Sequence, residues 1–308
     1  MSDIVTWGPA TDHIGACVVA LGVFDGVHVG HQALVADAVS LAESEGACSV
    51  VLTFDRDPDQ VVSPTTAMPQ LLDLEDKLAL LADQGAGVVL VVPFTPRLAA
   101  MSPLTFLDEV LLATMSPVAV AVGRDFRFGH RAEGDVDVLT RYGAAHGFRV
   151  LAHDLVSDDG GPITSTRIRH LVHSGDVAQA AALLGRPHRV RGLVVHGRGA
   201  GAAIGFATAN LAIDPYAALP APGVYAGRAT IGDTTYPAAI SVGRPPTFPE
   251  AHDDFEVHAV GYLGDLYGRA LAIEFLARLR DQRAFDDAES LAEAVASDIE
   301  RVREIVSR

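Results

Sequence analysis

The chain is poor in lysine, cysteine and aromatic residues. Its 308 residues include a single lysine, Lys77, two cysteines and 6% aromatic residues. Cys17 and Cys48 both lie in apolar, strand-like stretches, which is typical of small core residues in a reducing compartment and not of a disulfide framework. The apolar runs are too short to cross a membrane, and no basic region followed by an apolar stretch opens the chain. We therefore expect a cytoplasmic protein with no membrane partner.

Positive charge is scarce overall and concentrated where it occurs. The formal net charge is −16, which argues against nucleic-acid binding because that binding depends on neutralising phosphates. The arginines cluster at 123–131, 165–169 and 185–192. An acidic protein can still bind a small phosphorylated ligand where its few cations gather, so these segments are the candidates for a polyanion.

The first half of the chain alternates apolar strands with amphipathic helices. Strands are predicted at 16–24, 48–54, 87–94, 118–123 and 149–156, with helical periodicity between them. Strand and helix in succession predict a Rossmann-like α/β domain with a parallel sheet and right-handed crossovers. In such sheets ligands bind beyond the carboxyl ends of the strands. The turn at 24–31 occupies that position after the strand at 16–24.

The pattern changes near residue 186. Short alternating stretches follow, punctuated by glycine and proline and without helices between them, which predicts a small antiparallel barrel or sandwich. A final helix is predicted at about 286–306, because apolar residues recur there at helical intervals. We predict two unlike domains, 1–186 and 187–308.

The stretch GVFDGVHVGHQ (22–32) places two histidines three residues apart after a buried strand. If a helix begins near His28, its first N–H groups lack partners and form an anion site, to which the helix dipole adds about 0.3–1 kcal/mol. His28 and His31 then fall on one helix face, and Gly30 lets a phosphate approach the backbone. The chain has no G-x-x-x-x-G-K-[ST] segment, which argues against a P-loop. The histidine pair instead predicts phosphate chemistry by positioning and charge stabilisation.

These motifs resemble those of a known family. The H-x-G-H segment, with ITSTRIR (163–169) far downstream, looks like the nucleotidylyltransferase superfamily. More narrowly, GVFDGVHVGHQ, TFDRDP (53–58), GRDFRFG (123–129) and ITSTRIR in this order resemble the adenylylating half of the prokaryotic bifunctional riboflavin kinase/FAD synthetase family. In that family the module joins FMN to AMP from ATP and releases pyrophosphate.

The resemblance implies roles for individual residues of the first domain. His28 and His31 would be catalytic and contact the ATP phosphates. The implied nucleotide-binding residues are Gly22, Phe24, Gly30, Thr164, Ser165, Thr166 and Arg167, and the implied flavin-binding residues are Asp25, Asp125, Phe126 and Phe128. Taken alone, GRDFRFG also fits a plain turn after a strand with two core phenylalanines.

One residue of the first domain departs from the family pattern. The family usually reads F-D-P-H-P where this chain has FDRDP, so Asp57 replaces a histidine expected near the phosphates. An acidic side chain there would repel phosphate unless Arg56 compensates or Asp57 helps to hold Mg²⁺. The nucleotide preference, ATP against another nucleotide such as CTP, depends on this position.

The second half resembles riboflavin kinase, a small antiparallel β-barrel with a terminal helix. IGFATANL (204–211) resembles the G-F-P-T-A-N segment, and GVYAG, ISVGRPPTF, FEVHAVGYLGDLYG and LARLRDQRAF follow in the family order. The resemblance implies that Thr208 and Asn210 serve Mg²⁺ and phosphate, and that Glu256 is the catalytic carboxylate that orients or deprotonates the flavin hydroxyl. Without the resemblance, Glu256 reads as an exposed strand residue between inward Phe255 and Val257.

The kinase half also departs from its pattern. Ala200 and Ala202 replace two loop arginines, and Ala207 replaces the usual proline. Arg198 stands where an acidic residue is usual, and Pro245 where asparagine is common. Loss of cations beside a transferring phosphoryl group should slow transfer or weaken nucleotide binding, unless Arg198 substitutes for them.

The sequence thus predicts an enzyme that makes FMN from riboflavin and FAD from FMN with ATP and Mg²⁺. Two alternatives stay open: a specialised paralogue with one activity, another nucleotide or a modified flavin, and a non-catalytic flavin- or nucleotide-binding regulator. The expected partners are small molecules, not nucleic acid, and a transient homo-oligomer is left open.

Overall fold

The structure is a computed structural model that describes residues 2–196, 206–244 and 254–307. The chain divides into two compact units. The first comprises Met1–Met68 and Leu74–Thr164, and the second comprises Pro69–Asp73 and Ser165–Arg308. Within the described residues, no helix has both the length and the apolar character needed to cross a bilayer.

The first unit is an α/β domain. Its main strands are β1 (Asp3–Thr6), β2 (Ala16–Leu21), β3 (Cys48–Phe54), β4 (Val88–Val92), β5 (Ser116–Gly123) and β6 (Arg149–His153). Its α-helices are α1 (Val29–Glu45), α2 (Asp59–Val62), α3 (Leu74–Asp83), α4 (Pro96–Ala99), α5 (Pro103–Phe106) and α6 (Val136–His146). A π-helical turn at Leu107–Leu112, a 3₁₀ turn at His130–Ala132 and a hairpin of β7 (Ser157–Asp158) with β8 (Gly161–Pro162) complete it.

The six main strands form one parallel sheet in the order β1-β4-β3-β2-β5-β6. The predicted parallel α/β fold is confirmed. The sheet grows from β2 in both directions, with β3 on one side and β5 on the other, so β2 and β5 flank a topological switch point. Ligands of open α/β sheets bind outside the carboxyl ends of the strands at such a point. The segments that follow β2 and β5 contain the histidine pair and GRDFRFG.

The second unit is built around a barrel. Its helices are α7 (Ser165–Ser174), α8 (Val177–Leu184) and a terminal helix (Ala288–Val306). Its strands are β9 (His188–Val195), β10 (Ala209–Ile213), β11 (Gly223–Ile231), β12 (Thr234–Val242), β13 (Phe255–Ala259) and β14 (Ala270–Arg280). They close in the order β10-β13-β12-β11-β14-β9, with every described pairing antiparallel. The sequence pattern predicted either an antiparallel barrel or a sandwich, and the structure shows the barrel.

The terminal helix packs on the outside of this barrel, as its periodicity predicts. Ile299 and Val302 are buried against a small apolar cluster that includes Val224 and Leu279. Asp298 is buried and accepts three hydrogen bonds from the Arg280 guanidinium, at 2.8–3.3 Å. A buried ion pair therefore joins the end of β14 to this helix.

The second unit includes segments that sequence reasoning grouped with the first half. Helices α7 and α8 belong to it, and α8 contacts β9 and β14. So does Pro69–Asp73, which we call the strap: Gln70 exchanges backbone hydrogen bonds with Tyr216 (2.6 Å) and Ala218 (2.8 Å). The division of function at 186/187 stays a prediction.

Candidate active sites

The turn between β2 and α1 has an unusual backbone. Phe24, Gly26 and Val27 all adopt positive φ, at 55°, 82° and 38°. A positive φ is uncommon for a bulky residue and an outlier for a β-branched one, and such strain concentrates at functional sites. Both non-glycine side chains are buried, so packing holds the turn in place. Gly22 and Asp25, two more predicted site residues, belong to the same segment.

His28 caps helix α1. It is the N-cap residue, and its Nδ1 accepts a hydrogen bond from the His31 backbone N–H at 3.3 Å. A neutral ring whose Nδ1 accepts carries its proton on Nε2, so His28 presents an N–H donor at the helix N-terminus. The predicted helix start is confirmed, and the first-turn N–H groups and the positive end of the helix dipole lie where an anion would bind.

His28 and His31 are stacked, with ring centroids 3.6 Å apart and planes at 18°. Burial, the neighbouring His28 ring and the Lys77 ammonium lower the pKa of His31 well below its usual range. His31 is therefore neutral at pH 7. Its Nδ1 is buried and has no hydrogen-bond partner among the described residues. A Cβ at Gly30 would lie 3.3 Å from the His28 ring, so glycine keeps the backbone beside the histidines open.

Sequence reasoning missed one residue of this region, Lys77. It lies on α3, is 3% exposed, and donates hydrogen bonds to the Phe54 carbonyl at 2.7 Å and the Val23 carbonyl at 3.4 Å. Asp57, the residue that departs from the family pattern, is also buried, and its charge acts on Lys77. The only sequence signal for Lys77 is that it is the sole lysine.

The GRDFRFG segment follows β5. Phe126 and Phe128 stack at 5.5 Å, and both pack against the core of the first unit. Asp125 lies beside the end of β5 and lines a cavity of about 300 Å³ together with Arg124 and Arg127. The two phenylalanines therefore serve the core, while Asp125 is exposed and lines the cavity beside the carboxyl end of β5.

The ITSTRIR motif spans the division between the units. Thr164 is the last residue of the first unit, and Ser165 opens α7 in the second, with Thr166 and Arg167 in its first turn. The motif thus lies at a helix start, as expected.

The structure brings three predicted site residues of the first unit together, namely Phe24, His28 and His31. The Phe24 ring contacts the His31 ring edge-on, with centroids 5.3 Å apart.

The barrel brings together two of the predicted kinase residues. Asn210 on β10 and Glu256 on β13 are directly opposite across the strand pair, so they share one face of the sheet. Asn210 is 7% exposed, and its Oδ1 has no hydrogen-bond partner among the described residues. Thr208 lies two residues before Asn210, and the neighbouring Ala207 carbonyl contacts His258 Nδ1 at 2.8 Å.

These donors fit a hard cation. Mg²⁺ prefers oxygen ligands and keeps several waters, so an amide oxygen, a hydroxyl and a nearby carboxylate are an adequate set. No group of three or more histidine, cysteine or acidic side chains suited to a metal occurs among the residues that the structure describes. The orphaned Asn210 oxygen is therefore the structural argument for a cation at this place.

Comparison with known proteins decides the family. The sequence model of FAD synthetase matches residues 11–167, and that of riboflavin kinase matches 184–306. A protein of Pseudomonas fluorescens is 34% identical over 297 residues, which cover 96% of this chain and 94% of that protein. One of Escherichia coli K12 is 33% identical over 289 residues, covering 94% and 92%. Both are named bifunctional riboflavin kinase/FMN adenylyltransferase.

The chain belongs to the bifunctional riboflavin kinase/FMN adenylyltransferase family.

A solved structure described as a macrolide-efflux protein from Streptococcus pneumoniae is also similar. Its TM-score is 0.84 at 30% identity, and the match covers 97% of this chain and 98% of that chain. The efflux function named in that description is a statement about the Streptococcus pneumoniae protein. The curated relatives and both sequence models agree instead on the riboflavin kinase/FMN adenylyltransferase family.

Several of this chain's departures from the family pattern lie outside the described residues. These are Arg198, Ala200, Ala202 and Pro245. Ala207 is described and is exposed. Asp57 is also described, and it lies in a buried position where its charge acts on Lys77.

Proposed function

We propose that this chain phosphorylates riboflavin to FMN and then joins FMN to AMP from ATP, yielding FAD and pyrophosphate. The observation that carries the proposal is the His28–His31 pair at the N-terminus of α1, beside the switch point of a parallel sheet. The Asn210–Glu256 pair on the barrel supports the second activity. Family membership supports both, and the two residue pairs belong to different units.

Adenylyl transfer would be performed by the first site. An FMN phosphate oxygen attacks the α-phosphorus of ATP, the new P–O bond forms, and the bond to the bridging oxygen breaks as pyrophosphate leaves. His28 Nε2–H and the first-turn N–H groups of α1 would stabilise the negative charge that develops in the transition state. His31, neutral before ATP arrives, can accept a proton once the triphosphate charge is bound. Positioning and charge stabilisation then suffice, without a covalent enzyme intermediate.

The remaining predicted residues would bind the two substrates. For the nucleotide these are Gly22, Phe24, Gly30, Thr164, Ser165, Thr166 and Arg167; for the flavin, Asp25, Asp125, Phe126 and Phe128. Asp125 lines the cavity beside β5, which supports a role at the ligand. Phe128 is buried in the core and Phe126 packs against it half-buried, so their part in flavin binding would be to support the wall of that site.

Phosphoryl transfer would be performed on the barrel. Glu256 would accept the proton of the ribityl 5′-hydroxyl as its oxygen attacks the γ-phosphorus, and ADP would leave. Thr208 and Asn210 would hold Mg²⁺, which neutralises phosphate charge when bound. The buried Asn210 Oδ1, without a partner among the described residues, supports this assignment.

The test is chromatography of flavins after incubation of the purified protein with Mg²⁺ and one nucleotide at a time. Riboflavin and FMN are offered separately, with ATP or CTP. We expect riboflavin to pass through FMN to FAD with ATP. FAD from FMN alone would make the barrel a degenerate kinase, a different dinucleotide would identify a specialised paralogue, and flavin binding without product would identify a regulator.

Two substitutions separate the sites. His28→Ala should lower FAD formation by about 10²-fold or more, because it removes a donor at the transition state, and leave FMN formation within twofold. Glu256→Gln should lower FMN formation by about 10²–10⁴-fold through loss of the general base, and leave FAD formation intact. His13→Ala, an exposed histidine of the first unit, is the control. Loss of both activities in either folded variant would contradict two separate sites.

We propose only small-molecule partners, flavin and nucleotide. The cytoplasmic location and a transient homo-oligomer stay predictions, to be checked by fractionation and by light scattering.

A further inference from the structure

The sole lysine of the chain is buried beneath the first site. Lys77 lies in the second turn of α3 and is 3% exposed. An ammonium in such a position is costly unless it is paired and hydrogen-bonded. Its Nζ donates to the carbonyls of Phe54, at 2.7 Å, and Val23, at 3.4 Å.

The two carbonyls belong to the two turns that carry motifs of the adenylylating half. Val23 precedes the strained Phe24–Val27 turn that leads to His28, and Phe54 ends β3 and precedes Asp55. A single ammonium therefore ties together the chain after β2 and the chain after the neighbouring β3. Two further side-chain bonds also hold the strained turn: Thr53 Oγ1 donates to the Val23 carbonyl (3.0 Å) and Gln32 Nε2 donates to the Val27 carbonyl (2.8 Å).

Three carboxylates oppose the effect of burial on Lys77, whose pKa lies below its usual value. Burial lowers its pKa, but the carboxylates of Asp57, Asp25 and Asp55 act in the opposite direction. Asp55 is itself paired with exposed Arg56 at 2.9 Å. The ammonium in turn acts on His31 and disfavours its protonation. The charge of Asp57 thus acts on a buried cation inside the protein, which offsets part of its repulsion of phosphate.

We propose that Lys77 is a positioning residue for adenylyl transfer, which fixes the turn that presents His28 and His31. The inference rests on the proposed function of the first site. Lys77 acts through the Val23 and Phe54 carbonyls and not by touching the nucleotide. A displacement of about 1 Å in a catalytic constellation costs on the order of 10²-fold in rate, so loosening the turn should reduce turnover more than nucleotide binding.

The test compares Lys77→Met with Leu81→Ala. Leu81 lies one turn further along α3 and is fully buried, so its truncation weakens the packing of the same helix while the Lys77 ammonium stays in place. Lys77→Met should lower kcat for FAD formation by about 30- to 100-fold, in line with a misplaced constellation, with KM for ATP within threefold. FMN formation by the same preparations serves as an internal control and should stay within twofold.

The outcomes are decisive in both directions. A Leu81→Ala variant that keeps kcat within threefold, beside a Lys77→Met variant that loses it, supports the positioning role. Equal losses in the two variants, or full turnover by Lys77→Met, would overturn it. If wild-type protein makes no FAD from FMN and ATP, the proposed function itself is wrong. Failure of the positioning role and failure of the proposed function can therefore be told apart.

A second measurement does not depend on folding of any variant. Protein labelled with ¹⁵N-lysine has one side-chain ammonium resonance, because Lys77 is the only lysine. Saturation with Mg²⁺ and an ATP analogue that carries an α,β-methylene bridge should move that resonance, since the turn and the ammonium respond together. An unmoved resonance at saturation would show that Lys77 is uncoupled from the nucleotide site and would overturn the proposal.

Discussion

At the scale of single residues, burial and neighbouring charge decide what each side chain can do. Asp57 looks unfavourable in the sequence because it replaces a histidine beside phosphates. The structure places it in the interior, where its charge and that of Lys77 stabilise each other. Removing one member of a buried pair leaves the other charge uncompensated. Asp57 is therefore tied to the stability of the first unit as well as to its chemistry.

Asp57→Asn should lower the free energy of unfolding of the first unit by about 3 kcal/mol, because it leaves the Lys77 charge less compensated. The measurement is urea unfolding followed by fluorescence of Trp7, the only tryptophan, which lies in this unit and donates to Thr114 Oγ1 at 3.1 Å. Asp154→Asn breaks the exposed pair with Arg124 and should change the value by less than about 1 kcal/mol. An Asp57→Asn transition that coincides with wild type would contradict the pairing.

At the scale of elements, the terminal helix depends on one polar anchor in addition to its apolar face. Asp298 is 5% exposed, and Arg280 contacts it through Nε and Nη2. Arg280 also lies at the end of β14, so the pair joins helix and barrel at a defined position. The exposed pair of Arg278 with Asp281, at 2.9 Å, offers a matched comparison nearby.

Asp298→Asn should destabilise the second unit by about 2–3 kcal/mol, since the partly buried Arg280 guanidinium loses its counter-charge. Asp281→Asn should cost less than about 1 kcal/mol. Both are measured as the temperature at which riboflavin kinase activity is lost, with Trp7 fluorescence reporting the first unit separately. If the two variants lose kinase activity at the same temperature, the buried pair is not the anchor.

Some strand boundaries follow from the sequence pattern and others do not. The strand at 48–54 is found at those residues, because a continuous apolar run between turn signals is unambiguous. The strand predicted at 16–24 ends at Leu21, since positive φ at Phe24 begins a strained turn that no periodicity reveals. Strand β10 was not predicted, because Ala209–Ile213 is short and does not alternate. Its pairing with β9 and β13 closes the barrel.

The site was predictable in its local motifs but not in its surroundings. The N-cap role of His28 follows from the position of the H-x-G-H segment after a strand. The contribution of Lys77 does not, because it comes from a helix that begins 46 residues after His28 and only the tertiary fold brings it under the turn. The strap was missed for the same reason, since Gln70 pairs with residues far along the chain.

At the scale of the whole molecule, burial holds a histidine neutral in both units, His31 in the first and His188 in the second. Burial lowers the pKa of His188 to about 4; its Nε2 contacts the Ala218 carbonyl at 2.7 Å, and its ring stacks on Phe275. A histidine whose pKa is lower in the folded than in the unfolded state binds protons on unfolding. As far as His188 is concerned, the folded state therefore has its full stability above the unfolded pKa of 6.5. It loses stability as the pH falls from 6.5 toward 4, because the unfolded state binds the proton first.

The second unit should lose about 3 kcal/mol of unfolding free energy between pH 6.5 and pH 4 through His188, at about 1.4 kcal/mol per pH unit. Hydrogen exchange of the β11 and β14 amides at several pH values measures this slope. His188→Gln should flatten it, whereas His173→Gln, an exposed histidine on α7, should leave it unchanged. A slope unaffected by His188→Gln would assign the acid sensitivity to other groups.

The strap has a consequence for how such a protein can be divided. The chain passes between the two units three times, at 68/69, 73/74 and 164/165. A gene cut once between its two enzymatic halves would leave Pro69–Asp73 on the adenylylating fragment and expose the backbone of Tyr216 and Ala218 on the kinase fragment. Fission into independent modules would thus remove these two backbone hydrogen bonds from the kinase fragment, which favours inheritance of the two activities as one polypeptide.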